Sequence, residues 1–235
     1  MIDRWEAQLI AASWVYQGAR PGAAPGIGID EFDLGYVCWR AGTREPLGAG
    51  RVVVDRTNGE LTHWPSVPAE VVAQRYRAYR AEYPASPLTW DPVARARHDR
   101  LRAPFPENVT HLRLADGRLR TARSMRGGGT PNLHPLVRAA RDQQPLGSWV
   151  RGSDRCSEVA VLSDLLHAED ARRVAAGAPR LSTQVVRDEL LRGANLVTYQ
   201  VREPGDPLDG RPALPCGSCQ ALLHGLGFAP PGEPR

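Results

Sequence analysis

Three cysteines in two separated motifs constrain this 235-residue chain more than any other feature of its sequence. Cys156 stands two residues before Glu158, while Cys216 and Cys219 stand three residues apart directly after a proline. Thiolates are strong zinc ligands, and three protein ligands on a tetrahedral ion leave its fourth position for water. A shared ion would require the two motifs to meet in the folded chain, although a long stretch of sequence separates them.

Both motifs are predicted to lie at the first turn of a helix. Cys216 and Cys219 open an apolar stretch, and Pro215 suits a helix start because its fixed φ and missing N–H cost nothing there. Cys156 opens a segment whose apolar positions at 159, 162, 165 and 166 recur with helical spacing. The free N–H groups and the positive end of the helix dipole favour a thiolate over a thiol. We therefore expect two helix N-termini to meet at one ion.

Glu158 distinguishes this pattern from a simple zinc knot. It lies within the first turn of the predicted helix but off the face of the Cys156 ligand, so it can reach the metal's water without being a ligand. There it could take a proton from the water and pass it to a ring nitrogen and to departing ammonia. Cys-x-Glu combined with Pro-Cys-x-x-Cys is the thiolate version of the signature of zinc-dependent nucleobase deaminases.

Two other uses of the cysteines are open at this point. Cys216 and Cys219 could form a redox dithiol, but thioredoxin-like motifs follow a first strand early in a βαβ unit, whereas only 16 residues follow Cys219. A closed four-thiolate structural zinc site would need Cys38 as its fourth ligand. Cys38 lies in the apolar, strand-like run 35–39, so we predict that it is a buried free thiol of the core.

Three segments of the chain resemble the YwqJ-type branch of the cytidine deaminase-like superfamily. They are residues 151–164 (RGSDRCSEVAVLSD), 197–206 (VTYQVREPGD) and 214–219 (LPCGSC). The resemblance covers roughly residues 109–228, about half of the chain, and its zinc motifs are specific. It implies a deaminase domain that is frequent in bacterial polymorphic toxins, where many relatives act on bases of nucleic acid.

Carried over to this sequence, the resemblance implies that Cys156, Cys216 and Cys219 are zinc ligands and that Glu158 is the catalytic proton shuttle. We expect a zinc-dependent hydrolytic deaminase of a cytosine-type base, free or in nucleic acid, in which water on the zinc attacks the amidine carbon and ammonia is released. The alternative is a catalytically silent zinc-fold protein with a binding or immunity-type role in a bacterial toxin system. The tail after Phe228 is too short and proline-rich to supply the two further strands usual in the superfamily.

The chain divides into three predicted segments. Residues 1–83 predict a small α+β domain of unknown role, with a faint resemblance to immunity proteins of toxin systems. Residues 84–108 hold five prolines and several arginines and predict an irregular linker. Residues 109–235 predict the zinc-dependent deaminase domain, an α/β fold whose element order β-β-α-(α)-β-α gives a three-layer α/β/α sandwich.

Local patterns predict the individual elements, from hydrophobic periodicity and from turn signals. These are an N-terminal helix over 5–15, strands over 32–39 and 51–54, a hairpin turn at Asn58-Gly59, a helix over 69–79, a hairpin over 109–125, helices over 156–168 and 183–192, and a strand over 196–201.

The loop from Arg126 to His134 is the predicted substrate loop. Its three glycines would let the backbone approach a base or phosphate closely, Asn132 could bond a ribose or base edge, and His134 could stack on the ring. Arg126 ends a run of arginines that could hold phosphates or could form a solvated face. The alternative is a plain connector that ends in a helix near Pro135.

Composition bears on compartment and partners. No stretch approaches the roughly 18 apolar residues that a membrane span requires, and four cysteines do not make a disulfide framework. No apolar signal segment follows Met1. We expect a cytoplasmic protein that does not bind membranes, acts on a nucleoside, nucleotide or nucleic acid, and offers its N-terminal domain to a protein partner.

Overall fold

The computed structural model describes residues 1–15, 26–42, 50–101, 107–125, 130–144, 150–203 and 205–228. The chain forms two compact units, Met1–Ala103 and Pro104–Arg235, and each unit contains its own four-stranded sheet. Helices and strands are mixed in both units, which confirms the predicted α/β character at this level. No described helix has both the length and the apolar surface needed to cross a lipid bilayer.

The first unit is an antiparallel sheet in the order β1-β2-β3-β4, with helices packed on both faces. Its elements are α1 (Arg4–Val15), β1 (Gly26–Phe32), β2 (Gly35–Ala41), β3 (Arg51–Asp55), β4 (Leu61–Trp64), α2 (Ala69–Glu82) and α3 (Pro92–Leu101). Side chains alternate across the sheet because successive strand residues point to opposite faces. Cys38 and Val52 pack with α1 and α3, whereas Val37 and Val53 pack with α2. The prediction that Cys38 is a core thiol is confirmed.

The predicted strand over 32–39 is wrong in its extent. Asp33 and Leu34 form a turn, and β1 and β2 are two antiparallel strands that pair from Phe32↔Gly35 to Gly26↔Ala41. Gly35 marks the start of β2 because a Cβ there would lie 2.3 Å from the carbonyl oxygen of Val54 on the neighbouring strand. The apolar sequence gives no local sign of this turn, because Gly35 is required by the close approach of β3 and not by a turn motif.

The predicted irregular linker over 84–108 is also corrected by the structure. Residues 92–101 form helix α3, whose Val93 and Ala96 are buried against α1 in the core of the first unit. Asp91 begins this helix by accepting hydrogen bonds from the backbone N–H groups of Val93 and Ala94, at 2.8 and 3.2 Å. An aspartate N-cap followed by proline at the first helical position is a standard helix start. The prolines on either side led to the prediction of an irregular segment.

The second unit has a sheet in the order β6-β5-β7-β8, and every neighbouring pair of strands is antiparallel. Its elements are β5 (Glu107–Arg113), β6 (Leu119–Arg123), α4 (Pro135–Asp142), a 3-10 turn (Ser153–Arg155), α5 (Ser157–Ala175), α6 (Thr183–Val185) continued by a π turn (Val186–Leu190), β7 (Asn195–Val201), β8 (Pro212–Ala213) and α7 (Gly217–Gly225). The predicted hairpin, the two helices that follow the cysteine motifs and the later strand are therefore present.

One hydrophobic core occurs in the described part of this unit. Leu112 of β5, Val137 of α4, Leu162 of α5 and Leu222 of α7 all contribute to it. These helices share a core with the sheet face on which Leu112 lies. A second helical layer is not seen among the described residues. The finer prediction of three layers is therefore not confirmed.

Candidate metal centre and active site

The two cysteine motifs meet at the N-termini of α5 and α7. Cys156 is the N-cap residue of α5, Cys216 is the N-cap residue of α7, and Cys219 lies in the first turn of α7. Their three Sγ atoms lie within 4.8 Å of one another, and Cys219 is buried while the other two are half-buried. The fold thus brings together the ligand set that the sequence predicted, although α5, α6 with its π turn, and strands β7 and β8 intervene along the chain.

The spacing of the sulfur atoms fits a shared metal ion. The Sγ atoms of Cys156 and Cys216 are 4.0 Å apart, about twice the length of a disulfide bond. Two sulfurs each about 2.3 Å from a tetrahedral zinc ion would stand roughly 3.8 Å apart. Three soft thiolate donors with no carboxylate among them suit zinc better than magnesium or calcium. Among the described residues, this is the group of side chains that could hold a metal.

The three thiols also perturb one another electrostatically. Hydrogen bonds donated by Cys156 and Cys219, together with backbone N–H groups of the first turn of α7, hold the pKa of Cys216 well below its usual range. The hydrogen bond to Cys216 raises the pKa of Cys156, and hydrogen bonds to both neighbours raise the pKa of Cys219. A thiolate is thus stabilised at the start of α7, where the helix dipole favours negative charge.

Glu158 lies beside this cluster and is only 3% exposed. Its Oε1 accepts a hydrogen bond of 3.0 Å from the Thr198 hydroxyl, while its Oε2 has a longer contact of 3.5 Å with the Ser157 hydroxyl. Burial raises the pKa of Glu158, partly offset by hydrogen bonds from its own backbone N–H, Thr198 and Cys219. No cation within the described parts of the chain lies at ion-pair distance from this carboxylate.

The structure does not bring His134 to the cysteine cluster. His134 is 2% exposed, its Nε2 lies 3.1 Å from Asp170 Oδ2, and its Nδ1 accepts a hydrogen bond from the backbone N–H of Leu136. Asp170 stands 14 residues after Cys156, which is about 21 Å along the axis of α5 at 1.5 Å per residue. His134 therefore caps α4 and anchors the far half of α5, and its ring is not free to stack on a base near the cysteines.

The other two predicted substrate residues have different outcomes. Asn132 is exposed, and its carbonyl oxygen accepts hydrogen bonds from Ser163 and His167, so it also lies along α5 away from Cys156. Arg126 lies outside the described residues. Met125, the residue before it, lies near the first cysteine motif, because its N–H donates to the carbonyl oxygen of Arg155 at 3.0 Å.

Sequence reasoning missed three hydroxyl residues next to Glu158. Thr110 on β5 and Thr198 on β7 lie opposite each other in the sheet, and Ser157 is the first residue of α5. All three are buried, with exposures of 2% or less. The position of Ser157 between Cys156 and Glu158 was visible in the sequence. The threonines could not be found that way, because only the strand register places them beside the carboxylate.

Two helix N-termini that bring three thiols together beside a buried glutamate place this unit in the class of deaminase-like domains. The model of the YwqJ-like deaminase family matches residues 92–228, more than half of the chain, and the chain belongs to that family. A second match, to the immunity protein 35-like domain, covers residues 5–83. No curated protein and no solved structure matches the chain.

Proposed function

We propose that this protein is a zinc-dependent hydrolytic deaminase that acts on a cytosine-type base, either free or within nucleic acid. The observation that carries this proposal is the buried Glu158 carboxylate, which has hydroxyl partners but no cation among the described residues. An unpaired buried charge costs several kcal/mol, and such groups cluster at functional sites. A purely structural zinc site has no use for this carboxylate.

Each residue of the site has its own role in the proposed reaction. Cys156, Cys216 and Cys219 would hold the zinc ion, which when bound supplies Lewis-acid activation of the water that attacks the amidine carbon. Glu158 takes one proton from that water and gives it to the ring nitrogen; it then takes the second proton, from the hydroxyl of the adduct, and gives it to the amino group, so that the C–N bond breaks, ammonia departs and a carbonyl remains. Thr198 bonds Oε1, and Oε2, whose hydroxyl contact with Ser157 is longer, is the oxygen that would carry the transferred proton.

A substrate panel tests the proposal. Full-length protein loaded with zinc would be incubated with nucleosides, nucleotides, and single- and double-stranded DNA and RNA. Released ammonia and the mass of the base would be measured. We expect conversion of a cytosine-type base in at least one class of substrate. A fully zinc-loaded protein that releases ammonia from none of these substrates would contradict the proposal.

The match of residues 5–83 to the immunity protein 35-like domain favours a second candidate function. In that alternative the first unit binds a protein partner, and the second unit is a catalytically silent zinc fold. A cavity of about 520 Å³ lies in the first unit, lined by side chains of both charges, including Asp30, Arg51 and Glu70, around Trp39. The same panel separates the two functions, since a silent zinc fold would bind zinc fully and deaminate nothing.

A further inference from the structure

Two threonines connect the centre of the second sheet to Glu158. Thr110 and Thr198 are direct cross-strand partners on β5 and β7, and their hydroxyl oxygens are 2.8 Å apart. The Thr198 hydroxyl donates to Glu158 Oε1 at 3.0 Å. The Thr110 hydroxyl donates to Ser157 Oγ at 2.7 Å, and Ser157 lies between the metal ligand Cys156 and Glu158.

These hydroxyls are not needed for packing. Thr110 is fully buried on the same sheet face as Leu112 of the apolar core, and valine has nearly the same volume as threonine. Burying a hydroxyl without a partner costs free energy, so these hydroxyls are stable only because they bond one another and the carboxylate. Their partners within the described residues are Ser157 and Glu158, both in the first turn of α5.

The carboxylate needs such support because it has three rotatable bonds and no ion-pair partner in the described chain. Thr198 donates its single proton to Oε1, and Thr110 on the adjacent strand has a single proton that can go to Ser157 Oγ at 2.7 Å or to Thr198 Oγ1 at 2.8 Å. The paired strands β5 and β7 therefore set the orientation of Glu158 relative to the cysteines. Outer partners of this kind orient the groups that act at metal sites.

We propose that Thr198, supported by Thr110, is a positioning residue that aims the Glu158 carboxylate at the reacting centre; this rests on the deaminase function proposed above. Thr198 acts through Glu158 and does not touch the substrate. Loss of the Thr198 hydroxyl should therefore lower activity and leave the metal content unchanged. Its effect on stability should be coupled to that of Glu158.

The activity test compares Thr198→Val with Thr198→Ser on zinc-loaded protein. We expect Thr198→Val to lower kcat on the order of 10–100-fold with little change in KM and with full zinc content. Thr198→Ser keeps the hydroxyl and should recover most of the lost kcat. In the Glu158→Gln background, Thr198→Val should add little further loss. Equal activity of Thr198→Val and the wild type, or no recovery with serine, would overturn the proposal.

A second readout does not depend on activity. Thermal unfolding of Thr198→Val, Glu158→Ala and the double variant forms a cycle in which the two Tm changes should not add, since each variant removes the same hydrogen bond. Thr121→Val is the matched control: Thr121 is a strand threonine of the same sheet whose hydroxyl bonds His111 at 2.8 Å, and its Tm change should add to that of Glu158→Ala. Additive changes for Thr198 would show that the bond is absent. Failure of the wild type on every substrate would instead reject the deaminase function, and the cycle would still decide whether Thr198 holds Glu158.

Discussion

At the scale of single residues, two buried thiols of this chain have opposite surroundings. Cys38 and Cys219 are both 0% exposed. Cys38 lies among apolar side chains of the first unit, and burial raises its pKa to about 12, which keeps it an inert thiol. Cys219 lies in the first turn of α7 beside two other sulfurs. The neighbours of a cysteine, and not its burial, therefore decide whether it can be a ligand.

Metal content tests this distinction. Cys216→Ser should lose the bound zinc, because it removes one of three converging thiolates and a hydroxyl is a far poorer zinc ligand. Cys38→Ala is the control and should keep one zinc per chain. Elemental analysis of the purified proteins measures both. Zinc retained in Cys216→Ser, or lost in Cys38→Ala, would contradict the site assignment.

The sequence predicted the ligands and Glu158 because their spacing is local. Cys156 and Glu158 share one helix turn, and so do Cys216 and Cys219, so each half of the site could be recognised from short-range chemistry. Thr198 could not be recognised in this way. It becomes a partner of Glu158 only through the register of β5 and β7, and register depends on pairing between distant segments.

At the scale of secondary-structure elements, α5 is held at both ends. Its first turn carries Glu158, and its later part carries Asp170, whose Oδ1 accepts a hydrogen bond from the N–H of Leu181 at 2.7 Å. Asp170 Oδ2 accepts from His134 Nε2, and His134 also caps α4. The predicted substrate role of His134 overlooked this anchor, because a histidine before a proline and a helix can also be a capping residue.

This anchor predicts a pH dependence of stability. Burial lowers the pKa of His134 below its usual value, despite the favourable bond to Asp170, and the ring is neutral because Nδ1 accepts from Leu136. A histidine with a depressed pKa in the folded state contributes stability that is complete above its unfolded pKa of about 6.5 and is lost as the pH falls. We expect the Tm to fall between about pH 7 and pH 5, and His134→Gln should reduce this fall.

The comparison of the two Tm profiles removes groups distant from His134. The pKa values of His167 and His63 are also lowered by burial, and both residues are present in each protein. The contribution of His63 cancels in the difference between wild type and variant, and the difference reports on His134 together with its neighbour His167, whose ring centroid lies 4.9 Å away. Parallel Tm profiles for the two proteins would show that His134 does not gain a proton on acid unfolding.

At the scale of the whole molecule, the chain contains two units with different sources of stability. The first has a buried polar network in which Arg80 bonds Asp55 at 2.8 Å and Glu60 at 2.6 Å, and Tyr76 donates to Asp55 at 2.6 Å. The second contains the thiol cluster. The sequence predicted a boundary near 83–109, but the packing of α3 in the first core moves it to Ala103. The start of that helix at Asp91 and Pro92 is a local signal in the sequence. Its packing against α1 could not be predicted, because α1 lies far away along the chain.

Removal of the metal should therefore affect one unit selectively. A chelator should lower the unfolding temperature of the second unit, because three thiolates on one ion contribute several kcal/mol of folding energy there. The first unit holds no such cluster in its described residues and should unfold at an unchanged temperature. Differential scanning calorimetry with and without chelator measures both transitions. A shift confined to the transition of the first unit would contradict the placement of the metal.

The most direct measurement of the central claim compares wild type with Glu158→Gln, on the substrate that the panel identifies. Glutamine has nearly the same shape and is not a ligand in this arrangement, so zinc content and Tm should be preserved. The rate of ammonia release should fall by at least the 10²–10⁴ that is typical of general acid–base catalysis. If Glu158→Gln instead unfolds or loses its zinc, while the protein that remains keeps its specific activity, then Glu158 is a structural residue and the proposed mechanism is wrong.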